Sequence, residues 1–506
     1  MKKTFVLIIG ILFFTYSQSQ PFTYIDTKFE QVMQAAGAWT DYNNDGWLDA
    51  FITGDKYSGN QQIVISELQK NLKNGTFQNV HSNIRDVFLA GLDWGDYDGD
   101  GDQDLVLCGE TKTGDLFAGV YRNHNGGFIL VNTSLTPVRD GSVEWGDFDN
   151  DGDLDILLSG ENRDNMARTE IYRNEGGNKF YKISADLTPV FNGKAKWIDI
   201  DGDKDLDVLL TGQTSSNRFV GNLYRNDNND KFTLLPVNMP DLTLSDVAVG
   251  DLDGDGDPDF IMSGETPTGG ILAAVFRNNG NGEFTEMNTN LAGTRSGNID
   301  LGDYDGDGDL DVVITGETYG ESITWIYRNE GDFNFTHVNA GLPGVSLGGA
   351  YWGDYDRDGD ADILLLGLDN CYDFSAKIFR NDGIYEKKKV EEESDAKSIW
   401  TTSPMHISVK PYYYFVYASC FCDPFNEGTG NKFHAFVSNI HYATKKYELM
   451  EKFNAIIMKN VVTWPKVDAG HRVTVGFMTK EEAQQGRQTV IREYQEEDFI
   501  IHYVQW

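Results

Sequence analysis

The amino-acid order predicts a seven-bladed β-propeller followed by a small α+β domain. Three observations carry that prediction. A nine-residue acidic pattern, D-x-[DN]-x-D-G-x-x-D, occurs seven times, beginning at Asp41, Asp96, Asp147, Asp199, Asp251, Asp303 and Asp354, with Lys204 in place of the glycine in the fourth copy. The copies return every 51–55 residues. Within each period lie four short apolar segments separated by turn residues, which is the content of one propeller blade.

The chain opens with Lys2 and Lys3, an apolar run from Phe5 to Phe14, and the small residues Ser17 and Ser19. That order reads as a secretory signal over residues 1–19, and the run is too short to span a bilayer. No later stretch is long enough to cross. The reading is therefore of an exported protein: secreted, cell-surface or periplasmic. Four cysteines (Cys108, Cys371, Cys420, Cys422) are too few to build a disulfide framework. A formal net charge of −37 argues against a nucleic-acid partner, which needs a basic surface. Such an acidic excess suits solubility or cation binding.

The repeat region is read as residues 20–385. In each period an apolar residue, Trp39, Trp94, Trp145, Trp197, Val249, Leu301 or Trp352, precedes the acidic loop. An apolar strand follows, such as LVLCG from Leu105 or ILLLG from Ile363. Next come a turn and a strand ending in aromatic-Arg-Asn, as in Tyr172-Arg173-Asn174. The last strand opens at Phe128, Phe180, Phe232, Phe284 or Phe335. A ring of blades must hide its open edge. Pro21–Ile25 has the pattern of a fourth strand and is read as the outer strand of the seventh blade. Ile384–Val390, with Tyr385 where other blades carry Phe, competes for that slot.

Oxygen ligands at positions 1, 3, 5 and 9, with a backbone carbonyl at 7, can wrap one hard cation. Calcium, which accepts six to eight oxygens at flexible angles, suits such a loop better than magnesium. The candidate ligands are Asp41, Asn43, Asp45 and Asp49 in the first loop and Asp96, Asp98, Asp100 and Asp104 in the second. The third and fourth loops offer Asp147, Asp149, Asp151, Asp155 and Asp199, Asp201, Asp203, Asp207. Asp251, Asp253, Asp255 and Asp259 follow in the fifth. The last two supply Asp303, Asp305, Asp307, Asp311 and Asp354, Asp356, Asp358, Asp362. Glycine at position 6 permits the positive φ of a sharp turn. Lys204 takes that place in the fourth loop, which is expected to be the weakest site, and Asn43 lowers the charge of the first.

These loops and their period resemble the FG-GAP/VCBS repeats of the integrin α-chain N-terminal propeller family, over roughly residues 21–385. The resemblance implies that calcium is structural and that the loops lie opposite the main ligand-binding face. Partners are then expected there, protein or glycan, on turns such as GETKTGD and GENRDNM. Glu110, Glu161, Glu265 and Glu317 repeat in those turns, either as a functional acidic ring or as a repeated turn solution. The Arg-Asn pairs are read as structural, with arginine on backbone or loop carboxylates and asparagine opening a turn.

A charged stretch, residues 386–397, reads as a linker to a small α+β domain over residues 398–506. Strands are expected over Pro411–Ala418, Phe433–Ile440, Arg472–Phe477 and Phe499–Trp506, and a helix over Lys445–Lys459. Thr479-Lys480-Glu481-Glu482 forms a capping box opening a second helix. The stretch from His471 to Arg487 resembles the second half of a SPOR domain, although the first half does not match. Cys420, Cys422, His434 and His441 form either a metal set or an unrelated scatter of surface residues. No nucleophile elbow, HExxH or phosphate loop occurs, and His81, His124 and His337 are not clustered in sequence. The expectation is a non-enzymatic binding or adhesion module with no cofactor beyond calcium. The alternative is a secreted polysaccharide-active lyase or hydrolase built on the propeller.

Overall fold

The computed structural model describes residues 22–59, 61–280 and 282–383, together with strands and a few helical residues between 412 and 504. The signal segment 1–19, the competing strand Ile384–Val390, the linker 386–397 and the helix Lys445–Lys459 lie outside the described residues.

Residues 22–383 are all β and repeat one unit of four antiparallel strands. In the first unit Met33–Thr40, Asp49–Ser58, Gln61–Asn71 and Phe77–Asn79 pair in that order. The second strand of every unit begins at the ninth loop residue, as in Asp104–Glu110 and Asp362–Asp369. Its first six residues are all buried, because neighbouring units cover both faces. That explains continuous apolar runs where a one-sided strand would alternate.

Seven such units are present, and two of them join into a nine-stranded sheet through Val138–Arg139. Each sheet is open. First strands neighbour one another in chain order, from Met33–Thr40 through Phe88–Gly95 to Ala350–Gly353, which lies beside Met33–Thr40. In the last unit the fourth strand is Phe22–Ile25, pairing Phe22 with Asn381 and Ile25 with Ile378. The N-terminal strand therefore fills the slot the sequence assigned to it.

Units are held face to face by aromatic stacking. Trp197 stacks on Phe148 at 5.9 Å and 3°, and Trp145 on Tyr97 at 5.4 Å and 6°. Trp39 stacks on Tyr355 at 5.9 Å and 7°, joining the first unit to the last. Acidic residues on the first strands add polar links. Asp93 accepts Trp145 N–H at 2.9 Å, Asp246 accepts Ile299 N–H at 2.7 Å, and Asp300 accepts Trp352 N–H at 2.8 Å. Lys196 pairs with Glu144, and Lys194 with Asp246 at 3.3 Å. Burial pushes the Asp93 and Asp300 carboxyls up to about 6.

Beyond residue 383 the backbone shows a four-stranded sheet in the order Arg472–Val473, Val416–Cys422, Lys432–Ser438, Ile500–Val504, the last pair parallel. Tyr412–Tyr414 pairs separately with His441–Ala443, so the expected strand over 411–418 is two strands. Lys480, Gln484, Arg487, Gln488, Ile491 and Arg492 are helical, where the capping box placed a helix. The register sets Cys420 opposite His434 but leaves His441 in the other sheet.

Two expectations follow. Deleting residues 22–26 exposes the edge of Phe374–Asn381 and should lower the melting temperature and raise light scattering. For Asp300 the folded state favours the protonated form, so its contribution is greatest below the ordinary carboxylate pKa and is lost as pH rises to about 6. Asp300→Asn keeps an acceptor for Trp352 without the charge. It should stabilise the protein by roughly 1–2 kcal/mol at pH 8 and little at pH 4, read by urea unfolding.

Candidate metal centres

Each acidic loop is shaped by its own first aspartate. Asp96 accepts the N–H groups of Asp100 and Gly101 at 3.0 and 2.9 Å, and Asp147 those of Asp151 and Gly152 at 3.1 and 3.0 Å. Asp251, Asp303 and Asp354 accept the equivalent pair of N–H groups. The sixth residue has a left-handed backbone, with φ between 82° and 95° at its six glycines. Lys204 adopts φ 74° and donates its N–H to Asp199 at 3.1 Å, so the fourth loop keeps the shape at a backbone cost of ~1 kcal/mol. Its side chain is exposed.

The ninth aspartate is fully buried or nearly so in all seven loops. In six of them one oxygen accepts the N–H of the loop's second residue, as Asp155 does from Phe148 at 3.1 Å. The other oxygen accepts the N–H of the Arg-Asn asparagine, or of Asn71 in the first unit, at 2.6–2.8 Å. Burial pushes these carboxyls up to about 7 in Asp104 and about 8 in Asp155, Asp311 and Asp362.

The same asparagine then reaches the preceding unit. Asn123 Nδ2 donates to Tyr42 O at 2.7 Å, Asn226 to Phe148 O at 2.9 Å, and Asn381 to Tyr304 O at 2.8 Å. Asn71 does the same to Tyr355 O at 2.8 Å, linking the first unit to the last. Sequence reasoning assigned this asparagine a turn only. The turn is real, for Asn174 Oδ1 accepts Gly176 N–H at 3.0 Å, but the bond between units went unread. A signal existed, since an asparagine follows each ninth aspartate by 18–22 residues.

The aspartate at the third loop position is the one whose surroundings suit a cation. Oδ1 of Asp149, Asp201, Asp305 and Asp356 is buried without a hydrogen-bond partner, and a buried bare carboxylate oxygen is costly. Carboxylate oxygens of Asp96, Asp98 and Asp104 lie within 4.8 Å of one another, as do those of Asp147, Asp149 and Asp155. Asp199, Asp201 and Asp203, and likewise Asp251, Asp253 and Asp255, group in the same way. These all-oxygen sets fit a hard divalent ion. Arginine supplies part of the positive charge: Arg173 binds Asp149 at 2.7 Å, and Arg277 binds Asp253 and Asp255 at 2.8 and 3.0 Å.

At the opposite end the repeated glutamates resolve into clamps between units. Arg139 bridges Glu110 at 2.5 Å and Glu161 at 2.9 Å, and Arg295 bridges Glu265 at 2.6 Å and Glu317 at 3.1 Å. Sequence reasoning named the glutamates but not the two arginines.

The sequence of residues 41–107, 96–158, 147–210, 199–262, 266–314 and 303–365 matches the FG-GAP-like repeat, six times over. The chain belongs to that family. No curated protein matches it. Among solved structures, the V. cholerae biofilm matrix protein Bap1 is 13% identical with a TM-score of 0.31, over 90% of this chain and 65% of that one. The fungal lectin of Aleuria aurantia, a six-bladed β-propeller, is 11% identical with a TM-score of 0.36, over 63% and 99%. The NanB sialidase of Streptococcus pneumoniae is 12% identical with a TM-score of 0.34, over 71% and 70%. Likenesses of this degree do not bear on activity.

Removing one link between units tests their role. Asn226→Ala strips donors from the carbonyls of Phe148 and Leu206 and should cost roughly 1–3 kcal/mol, measured by urea denaturation.

Proposed function

We propose that residues 22–383 close into a seven-bladed propeller whose acidic loops take up calcium as a structural ion. The chain is then an exported binding module that meets a protein or glycan partner on the face opposite those loops. The observation that carries the calcium reading is the set of bare, buried Oδ1 atoms at Asp149, Asp201, Asp305 and Asp356. In such a loop, positions 1, 3, 5 and 9 would hold the ion, and its charge would relieve the repulsion among them. Closure is supported by the bond from Asn71 to Tyr355, which repeats at the last junction what Asn123 and Asn226 do inside the chain.

Binding at the opposite face is supported by exposed apolar side chains at the end of a second strand (Tyr57) and on turns between second and third strands (Met166, Tyr372). Tyr57, Met166 and Tyr372 are 48%, 45% and 82% exposed there. Rigid strands hold these turns, the arrangement in which recognition loops are commonly found. The glutamates of that face are engaged by Arg139 and Arg295, which favours a scaffold over a catalytic pair. A glycan array and a protein pull-down, run beside a turnover assay on the same glycans, test this reading. Saturable binding without turnover is expected; product formation would transfer the site to the polysaccharide-active alternative.

Calcium removal gives a second expectation. Extracellular calcium modules bind with dissociation constants on the order of 10⁻⁴ to 10⁻³ M. At millimolar calcium each occupied loop then contributes roughly 0.5–1.5 kcal/mol. Chelation should lower the melting temperature by many degrees, and calcium should restore it. An unchanged melting curve would defeat the structural role.

A further inference from the structure

We infer that the first acidic loop takes no calcium and is neutralised instead by the protein's own cations, sealing the junction between the last unit and the first. The inference rests on the calcium reading of the other loops and concerns where that reading stops.

The loop keeps the common shape, since Asp41 accepts the N–H groups of Asp45 and Gly46 at 2.9 and 2.8 Å. Its interior differs. The third residue is Asn43, and its Nδ2 donates to Asp49 Oδ2 at 2.7 Å. An N–H therefore points at the carboxylate from the position where the other loops offer a further anionic oxygen. The fifth residue, Asp45, is occupied by ammonium groups: Lys73 lies 3.3 Å from Oδ1 and Lys70 3.8 Å from Oδ2. Lys73 also donates to Asp45 O at 3.3 Å.

A third cation arrives from the seventh loop. In the first and third loops the fourth residue reaches the seventh residue of the next loop. Asn44 donates to Asp102 at 2.8 Å, and Asn150 to Asp205 at 2.7 Å. At the junction of last and first units that pairing becomes Arg357 over the ring of Trp47, 5.7 Å from its centre. Lys73 lies over the same ring at 5.9 Å. The Arg357 guanidinium also sits beside Gly46, where Nη1 is 3.2 Å from the place of a Cβ. Lys70 and Lys73 thus face Asp45, and Arg357 brings a third positive charge to the same loop at Gly46 and Trp47. A dication would have to displace ammonium groups and overturn an amide to enter a cage with fewer carboxylates. Six loops of five aspartates have no such balance.

Calcium-dependent hydrogen exchange of the full chain reads each loop separately. Calcium should protect residues 303–311 strongly and leave residues 41–49 within twofold of their metal-free rates. Equal protection of 41–49 would overturn the inference while leaving calcium binding intact. No protection anywhere would defeat the calcium reading and with it the contrast drawn here. The reciprocal variant Asn43→Asp/Lys70→Gln/Lys73→Gln changes half-buried or exposed side chains. Native mass spectrometry should show it binding one calcium ion more than the parent. An unchanged count, in a variant whose circular dichroism matches the parent, would also overturn the inference.

Discussion

A buried carboxylate with two N–H donors sits at the start of every second strand, and the repeat is organised around it; both donors are backbone in six units, while Asp49 takes the backbone N–H of Asn71 and the side-chain amide of Asn43. One donor belongs to the loop that leads into the strand; the other ends the third strand of the same unit. Asp155, for example, joins Phe148 to Asn174, so loop, second strand and third strand are fixed by one side chain. Two N–H bonds partly replace the water that such a group loses on burial. They do not supply a counter-charge. That shortage, repeated seven times, sets what the neighbourhood must provide, whether by a bound dication or by an arginine or lysine.

The asparagine that serves this carboxylate also spans to the neighbouring unit. Local loop order and packing between units are thereby coupled through a single residue. Stacking of Trp on the aromatic second residue of the preceding loop acts across the same boundary. Each unit contacts mainly its two neighbours, so stability accumulates junction by junction, as in other repeat proteins. The opposite end uses a different chemistry, with Arg139 and Arg295 each drawing two glutamates together. One end of the units therefore concentrates uncompensated charge and the other balances it internally.

Much of this was legible in the sequence because the period imposes it. The seven acidic loops and the apolar second strands follow from the period, and the N-terminal outer strand follows from its fourth-strand pattern. The carboxylates of the candidate sets come together in threes, within 4.8 Å of one another. What escaped was long-range partnership, because sequence spacing within one unit carries no record of who lies across a junction. Asn123 looks like any turn residue until Tyr42 is placed beside it. Glu110 and Glu161 look like a repeated anionic motif until Arg139, which occurs in only one intervening turn, is seen between them. Lys204 takes the left-handed turn at the backbone cost its position implies, and its side chain stays in solvent. The periodic part of the design was visible, and the part that breaks the period was not.

The junction of the first and last units departs from the period in several ways. Trp39 donates to Tyr351 O across 312 residues of sequence, and Asn71 to Tyr355 across 284. Other junctions join units that are consecutive in the chain. Bringing distant segments together carries a larger loop-closure entropy, although the excess grows only slowly with length. This junction also holds Phe22–Ile25, whose removal would expose an edge, and Arg357, which no other loop has at its fourth position. Loss of a bound ion at an internal junction leaves two units still tied by a short connection. Between the last and first units the short connection, residues 26–32, leads from Phe22–Ile25 into Met33–Thr40, and it ties the two only while Phe22–Ile25 stays paired with Phe374–Asn381. A seal made from covalently attached ammonium and guanidinium groups cannot dissociate when calcium falls. On the reading proposed here, that is the physical reason for the first loop to carry its own charge compensation while the others borrow theirs from solution.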